Sequence, residues 1–153
     1  YSYSNIVSKL HEAQEHIRWG DDLSPQIIKN LQNNRTDAFY FITDWPTSIK
    51  PFYVKTKGEK DEMMCESFDL MYGSLEISSG STRINRKNDL LKRMNKQGLN
   101  VDAFDYHLRV FDYGVPPHAG FGLGLERLLM AITKCDNIRD VTLYPRDIDR
   151  LTP

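Results

Sequence analysis

The sequence predicts an α+β fold, a mainly antiparallel sheet flanked by helices. Two strand-like runs, Ser67 to Met71 and Leu75 to Ser79, flank Tyr72-Gly73-Ser74, a hairpin signal with glycine at the turn. A third run, Ala38-Phe39-Tyr40-Phe41-Ile42, is dense in aromatic and β-branched residues and reads as a buried strand. Strands follow one another through hairpins and short loops, with helices inserted between them. That order favours antiparallel pairing over a parallel βαβ arrangement.

From the first residue, Ile6, Val7, Leu10, Ala13 and Ile17 recur at helical spacing, with Ser4 as the expected N-cap and Trp19-Gly20 as the stop. Ser24-Pro25 reads as N-cap plus N1 proline, opening a short helix through about Leu31. Asn33-Asn34-Arg35-Thr36 is a turn before the Ala38–Ile42 strand. Pro46 and Pro51 frame a loop, and Phe52-Tyr53-Val54 reads as a short strand. Thr56 to Glu62 is charged and weakly patterned, which predicts a mobile loop. After the hairpin, Asn88 is the expected cap of a helix from Asp89 to Lys96 that stops at Gly98. Val101 to Tyr113 predicts another helix, ended by Gly114 and Pro116-Pro117. Gly120 to Leu123 is short and extended. Leu125, Leu128, Leu129 and Ile132 form one apolar helix stripe, and Val141 to Arg146 is an extended tail.

With 153 residues, the chain is one domain or a large piece of one. Hydrophobic residues make up 40% and charged residues 27%, as in an ordinary water-soluble globular protein. No apolar run reaches membrane-spanning length, so no membrane association is expected. Tyr1 is not an initiator methionine and leads straight into an amphipathic pattern, so the chain reads as a fragment without a signal peptide. Cys65 and Cys135 stand far apart with no CxxC and no histidine cluster, which argues against structural zinc and for a reducing, cytoplasmic setting. A net charge of −1 argues against a broad nucleic-acid-binding surface on this piece.

The most informative segment is Gly120-Phe121-Gly122-Leu123-Gly124-Leu125-Glu126-Arg127. Alternating glycines run into a helix whose first turn carries an arginine. Glycine admits a ligand where a Cβ collides, and a helix N-terminus favours anions. Arg127 stands where the dipole disfavours a cation, so an anion partner is expected. The spacing is neither that of a P-loop nor that of a dinucleotide fingerprint, because Leu125 occupies the third glycine position. A glycine turn packed closely on a neighbour explains the same residues.

The hairpin carries two acids, Asp69 and Glu76. With Gly73-Ser74 as a two-residue loop, Tyr72 pairs Leu75 and Met71 pairs Glu76. Asp69 shares a face with Met71, so the two carboxylates lie diagonally on one face, about 7–8 Å apart. Carboxylates at that range can share a divalent ion such as Mg²⁺ held with nucleotide phosphates. Two solvated strand acids are the plainer alternative, and a shifted register moves one acid to the other face. Ser78-Ser79-Gly80-Ser81-Thr82-Arg83 follows. Arg83 can grip a carboxylate bidentately or simply pair with a neighbouring acid.

Taken in order, Phe68-Asp69-Leu70, Leu75-Glu76-Ile77-Ser78-Ser79-Gly80, Arg83, Tyr113 to Gly120, Gly122 to Arg127, Ile138-Arg139-Asp140-Val141 and Tyr144-Pro145-Arg146-Asp147 form a series. Phe41 to Pro46 precedes it. The series resembles the C-terminal half of a class II aminoacyl-tRNA synthetase catalytic domain, most closely the aspartyl-tRNA synthetases of archaeal and eukaryotic type. The resemblance runs from about Tyr1 to Pro153, and Gly122 to Arg127 resembles motif 3. It implies the class II synthetase fold, with residues 1–153 the part of the catalytic domain after motif 2. Motif 1, motif 2 and the anticodon-binding domain are not in this stretch.

The resemblance also implies roles. Arg127 and Glu76 are the expected catalytic residues. Gly124, Leu125, Glu126, Arg127 and Glu76 are expected at ATP, with Arg127 on its γ-phosphate. Asp69, Glu76 and Ser79 are expected at Mg²⁺. Ser79, Arg83, His118 and Gly120 are expected at the amino acid, with Arg83 on the aspartate side chain. The implied activity is ATP-dependent activation of L-aspartate and transfer to tRNA by a homodimeric full-length enzyme, the fragment alone being inactive. An asparaginyl-type or nondiscriminating enzyme and a noncatalytic paralogue are the alternatives. Ser78-Ser79 favours aspartate, since asparaginyl enzymes usually carry glycines there. Arg83 is common to both.

Overall fold

The computed structural model describes residues 1–31, 38–58, 62–149 and 151–152. The turn expected at 33–36 and the centre of the loop expected at 56–62 lie outside the described residues.

Among the described residues four strands form one sheet in the order β1-β2-β3-β4, each antiparallel to the next. They are β1 (Phe39–Thr43), β2 (Ser67–Tyr72), β3 (Leu75–Thr82) and β4 (Ala119–Leu123). Among the described residues five α-helices accompany them: α1 (Tyr3–Glu12), α2 (Pro25–Leu31), α3 (Lys87–Lys96), α4 (Asp105–Val110) and α5 (Leu125–Thr133). The predicted α+β class is what the structure has.

The hairpin closes as predicted, with Tyr72 opposite Leu75 and Met71 opposite Glu76, and Gly73 at φ 56°. Beyond that the ladder shifts by one residue. Leu70 pairs Ser78 and Asp69 pairs Ser79, so Ile77 is an extra residue on β3. A regular ladder would have set Ser78 across from Asp69. The bulge has a geometric consequence: residues 76 and 79, an odd number apart, come to the same face only when one residue is inserted between them.

Two clusters make the core. Tyr3, Ile6, Val7 and Leu10 of α1 and Ile28 of α2 pack with Ile42, Trp45, Cys65 and Met71. Leu90 and Met94 of α3 pack with Ile84 and Leu108, joined by Phe52 and Phe104. Both follow from helical spacing of apolar residues, whose burial contributes the main stabilising term.

Several expectations need correction. The first helix is capped by Ser2, not Ser4, whose hydroxyl accepts from Trp19 Nε1 instead. It ends at Glu12, where Gln14 turns to φ 61°. β1 is not fully buried: Phe39 and Phe41 are 54% and 50% exposed, because alternate residues of this outer strand face away from the α1 core. Phe121 and Leu123 of β4 lie exposed as well, on that same second face of the sheet. Residues 52–54 form a turn closed by Val54 N–H to Pro51 O, with one bridge to Arg83 rather than a strand. α3 starts at Lys87, before Asn88. The helix expected over 101–113 is split into a 3₁₀ turn, α4 and a second 3₁₀ turn ending at Gly114, φ 91°. Beyond Val141 the described tail forms no strand, after a 3₁₀ turn over Ile138–Val141.

Candidate active site

Side-chain alternation assigns the residues. Directly paired residues share a face, so Ile42, Asp69 and Ser79 stand together, as do Ser81 and Gly120. Gly120 and Gly122 are every second residue of β4, and both fall on this face. Phe121 and Leu123 point to the other. The glycine alternation therefore strips one face of a strand of side chains beside Ser79 and Ser81. A Cβ at Gly122 would meet nothing within 4 Å, so the space is open rather than packed. Gly80, by contrast, is closely packed: a Cβ there would stand 2.6 Å from the Phe68 ring and 2.7 Å from Phe121 Cβ.

Asp69 is buried in β2. Its Oδ2 accepts from Lys50 Nζ at 2.9 Å, while Oδ1 is buried without a hydrogen-bond partner. Glu76 is half exposed across the hairpin. Burial first, and then the neighbouring Asp69 carboxylate, push the Glu76 carboxyl above its ordinary range, while Arg127 and Lys50 pull it down. The two acids thus feel each other across one face. Ser79 is exposed on that face, opposite Asp69.

Arg127 reaches back from the first turn of α5. Its Nη1 donates to the Glu76 carbonyl at 2.9 Å and lies 3.9 Å from Glu76 Oε1. Gly124 is the N-cap; its N–H donates to Ile77 O at 2.9 Å, tying the helix start to the bulge. A Cβ at Gly124 would meet Arg127 Cδ at 3.4 Å, an ordinary contact. Leu125 and Glu126 are exposed at the start of α5.

Arg83 is held on several sides. Nη1 donates to Ser81 Oγ at 2.6 Å and Nη2 to Gly120 O at 3.2 Å, and the guanidinium lies 4.6 Å from the Tyr53 ring centroid. A Cβ on Gly120 would stand 3.3 Å from Nη2, so glycine is what lets the guanidinium lie flat here. The His118 carbonyl accepts from Arg83 N–H at 2.9 Å, whereas its ring is exposed and bonded at Nδ1 to Pro116 O. His118 therefore enters through its backbone, and its imidazole is not brought to the other site residues.

Sequence reasoning missed Lys50, Tyr53 and Ser81. Lys50 and Tyr53 act through residues 19 and 30 positions away, and no local pattern signals such pairs. Ser81 was visible as part of the hydroxyl-rich run but had no role assigned.

An oxygen-only set of Asp69, Glu76 and Ser79 suits a hard divalent cation, and a buried carboxylate oxygen left unpaired is the atom such an ion satisfies. Among the described residues no group of three His, Cys, Asp or Glu side chains is close enough to hold a metal unaided. Two carboxylates completed by phosphate oxygens and water are the usual Mg²⁺ arrangement. The residues fit.

Residues 1–148 match the model of the tRNA synthetases class II (D, K and N). The chain is 45% identical over 152 residues to an aspartate–tRNA(Asp/Asn) ligase of Methanocaldococcus jannaschii, covering 99% of the chain and 34% of that protein. It is 42% identical over 152 residues to an aspartate–tRNA(Asp) ligase of Thermoplasma volcanium, covering 99% and 35%. Among solved structures, an aspartyl-tRNA synthetase from Entamoeba histolytica superposes with a TM-score of 0.91 at 32% identity, over 100% of this chain and 32% of that one. The asparaginyl-tRNA synthetase of Pyrococcus horikoshii complexed with asparaginyl-adenylate gives 0.88 at 34%, over 99% and 35%. The chain spans about a third of the length of the curated relatives it matches. Fold, motif order and these likenesses agree: the chain belongs to the class II tRNA synthetases of the D, K and N group.

Proposed function

We propose that this chain is the C-terminal part of an aspartate–tRNA ligase, which activates L-aspartate with ATP and transfers it to tRNA. The observation that carries the proposal is one sheet face bearing Asp69, Glu76 and Ser79, with Arg127 and Arg83 at its two ends. Anion-binding cations thus flank a pair of carboxylates, as a nucleotide and an acidic amino acid together require. The names of the relatives support the same reading.

In this proposal Arg83 takes the side-chain carboxylate of aspartate through its planar guanidinium, pre-set by Ser81, Gly120 and Tyr53. Ser79, paired with Gly122 of the bare β4 face, donates to the amino acid. Arg127 exchanges the Glu76 carbonyl for the γ-phosphate of ATP, and Gly124 to Glu126 line the nucleotide. Asp69 and Glu76, with Ser79, hold Mg²⁺. Bound there, the ion neutralises charge on the phosphates. The aspartate α-carboxylate oxygen attacks the α-phosphorus, the bond to the bridging oxygen breaks, and pyrophosphate leaves. The 3′-terminal ribose of tRNA then takes the aspartyl group and AMP departs. No protein nucleophile is required; positioning and charge neutralisation supply the catalysis.

The complete polypeptide works as a homodimer in this reading, through segments outside these residues, on the strength of the resemblance. A cytoplasmic location is part of the proposal. It is supported by two free cysteines, and among the described residues no helix is long and apolar enough to cross a membrane.

The test is ATP–pyrophosphate exchange by the complete polypeptide that contains these residues, with aspartate and asparagine compared. Exchange driven by aspartate supports the proposal. Exchange driven by asparagine alone makes the enzyme asparaginyl-type, and none with either makes the chain a noncatalytic relative.

A further inference from the structure

Lys50 has a place that the proposed chemistry does not use. It follows the 3₁₀ turn Thr47–Ile49, and the end of α3 holds this stretch twice: Arg93 Nη2 donates to Thr47 O at 3.0 Å, and Gln97, the residue capping α3, donates from Nε2 to Lys50 O at 3.0 Å. The side chain is mostly buried. Its Nζ lies 3.9 Å from the Trp45 ring centroid and 2.9 Å from Asp69 Oδ2, and it acts electrostatically on Glu76 as well. Packing from Trp45 and α3 thus fixes an ammonium group on one oxygen of the buried acid.

We propose that Lys50 is the resident counter-cation of the Asp69–Glu76 site, and that it keeps a bare divalent ion out until a polyphosphate arrives with it. The proposal rests on the metal–nucleotide reading of that site. Asp69 and Glu76 each have one ion-pair partner, Lys50 and Arg127, so the acid pair is electrically balanced as it stands. A bare divalent ion adds two uncompensated charges within a few ångströms of a tethered ammonium in a partly dry setting. The repulsion there outweighs that between exposed groups. A metal–nucleotide complex is net negative. Its phosphates draw Arg127 off Glu76, and Asp69 keeps Oδ1 for the ion while Lys50 stays on Oδ2. Lys50 is thus a positioning residue that couples metal binding to nucleotide binding.

The test is an electron paramagnetic resonance titration of the complete polypeptide with Mn²⁺ alone, at pH 8. Lys50→Met should bind Mn²⁺ on the order of tenfold more tightly than the parent. Lys50→Arg should match the parent. Adding Asp69→Asn to Lys50→Met should abolish the gain. Damage to the fold does not produce tighter binding, and Lys50→Gln gives the same sign if methionine disturbs the loop. No gain in either neutral variant, or a gain that survives Asp69→Asn, overturns the proposal. Mn²⁺ titrated with ATP present separates the two ideas: weakening by Asp69→Asn there upholds the metal site even if Lys50 is not its counter-cation, and no weakening removes the site itself.

Discussion

Ser78 and Ser79 are adjacent and chemically identical, yet the bulge at Ile77 gives them opposite duties. Ser78 is buried and its hydroxyl donates to Gly122 O at 2.8 Å, stitching β3 to β4. Ser79 is exposed opposite Asp69. Ser78→Ala removes a buried hydrogen bond, which costs about 1–2 kcal/mol. For a chain of this size that lowers Tm by about 3–6 °C. Ser79→Ala removes an exposed hydroxyl and should shift stability by less than about 0.5 kcal/mol. Its cost falls on charged ligands, where a lost hydrogen bond of about 1.5–3 kcal/mol lowers kcat/KM for aspartate-dependent exchange by about 10–100-fold. Thermal unfolding and pyrophosphate exchange on both variants of the complete polypeptide read the two effects separately. A reversed pattern, with Ser78→Ala stable but inactive and Ser79→Ala inert, would mean that the ladder is regular and Ser78 faces Asp69.

Gly120→Ala places a Cβ 3.3 Å from Arg83 Nη2, so the guanidinium must give by a few tenths of an ångström. KM for aspartate should rise about fivefold, roughly 1 kcal/mol, with Tm nearly unchanged; an unaltered KM refutes the positioning role of Gly120. Glu76 is held above its ordinary range by burial, so folding favours its protonated form. That contribution is full below the unfolded value of about 4.3 and is lost as pH rises through the raised one. Glu76→Gln should therefore gain Tm relative to the parent from acid to neutral pH, and a difference that shrinks over that range contradicts the assignment. Cys65 is fully buried, and burial pushes its thiol up, whereas Cys135 is partly exposed. A thiol reagent should label Cys135 promptly and Cys65 only on unfolding; prompt labelling of both refutes this burial.

The hairpin was legible because glycine at a two-residue loop sets the register next to it. The bulge was not, since nothing in Glu76-Ile77-Ser78 marks Ile77 as the inserted residue; a core and a bare strand face decide it from both sides. The Arg127 reading came from residues adjacent in sequence; in the structure Arg127 contacts Glu76, and its phosphate role stays a proposal. Of the three partners in the Arg83 cradle, only Gly120 was given a site role beforehand; Ser81 stands two residues away and Tyr53 thirty. Lys50 was invisible because its reason for being there is a buried acid 19 residues on. Ser4, Asn88 and the 101–113 run satisfied local rules, but Ser4 bonds Trp19 Nε1, α3 begins one residue before Asn88, and Phe104 and His107 pack on Phe52.

Diffraction from crystals of the complete polypeptide grown with Mn²⁺ and ATP tests the central claim most directly. The account predicts an anomalous peak about 2.1 Å from oxygens of Asp69 and Glu76, with Arg127 moved from the Glu76 carbonyl onto phosphate. ATP bound with the peak away from both carboxylates, or with Arg127 still on Glu76, would contradict it.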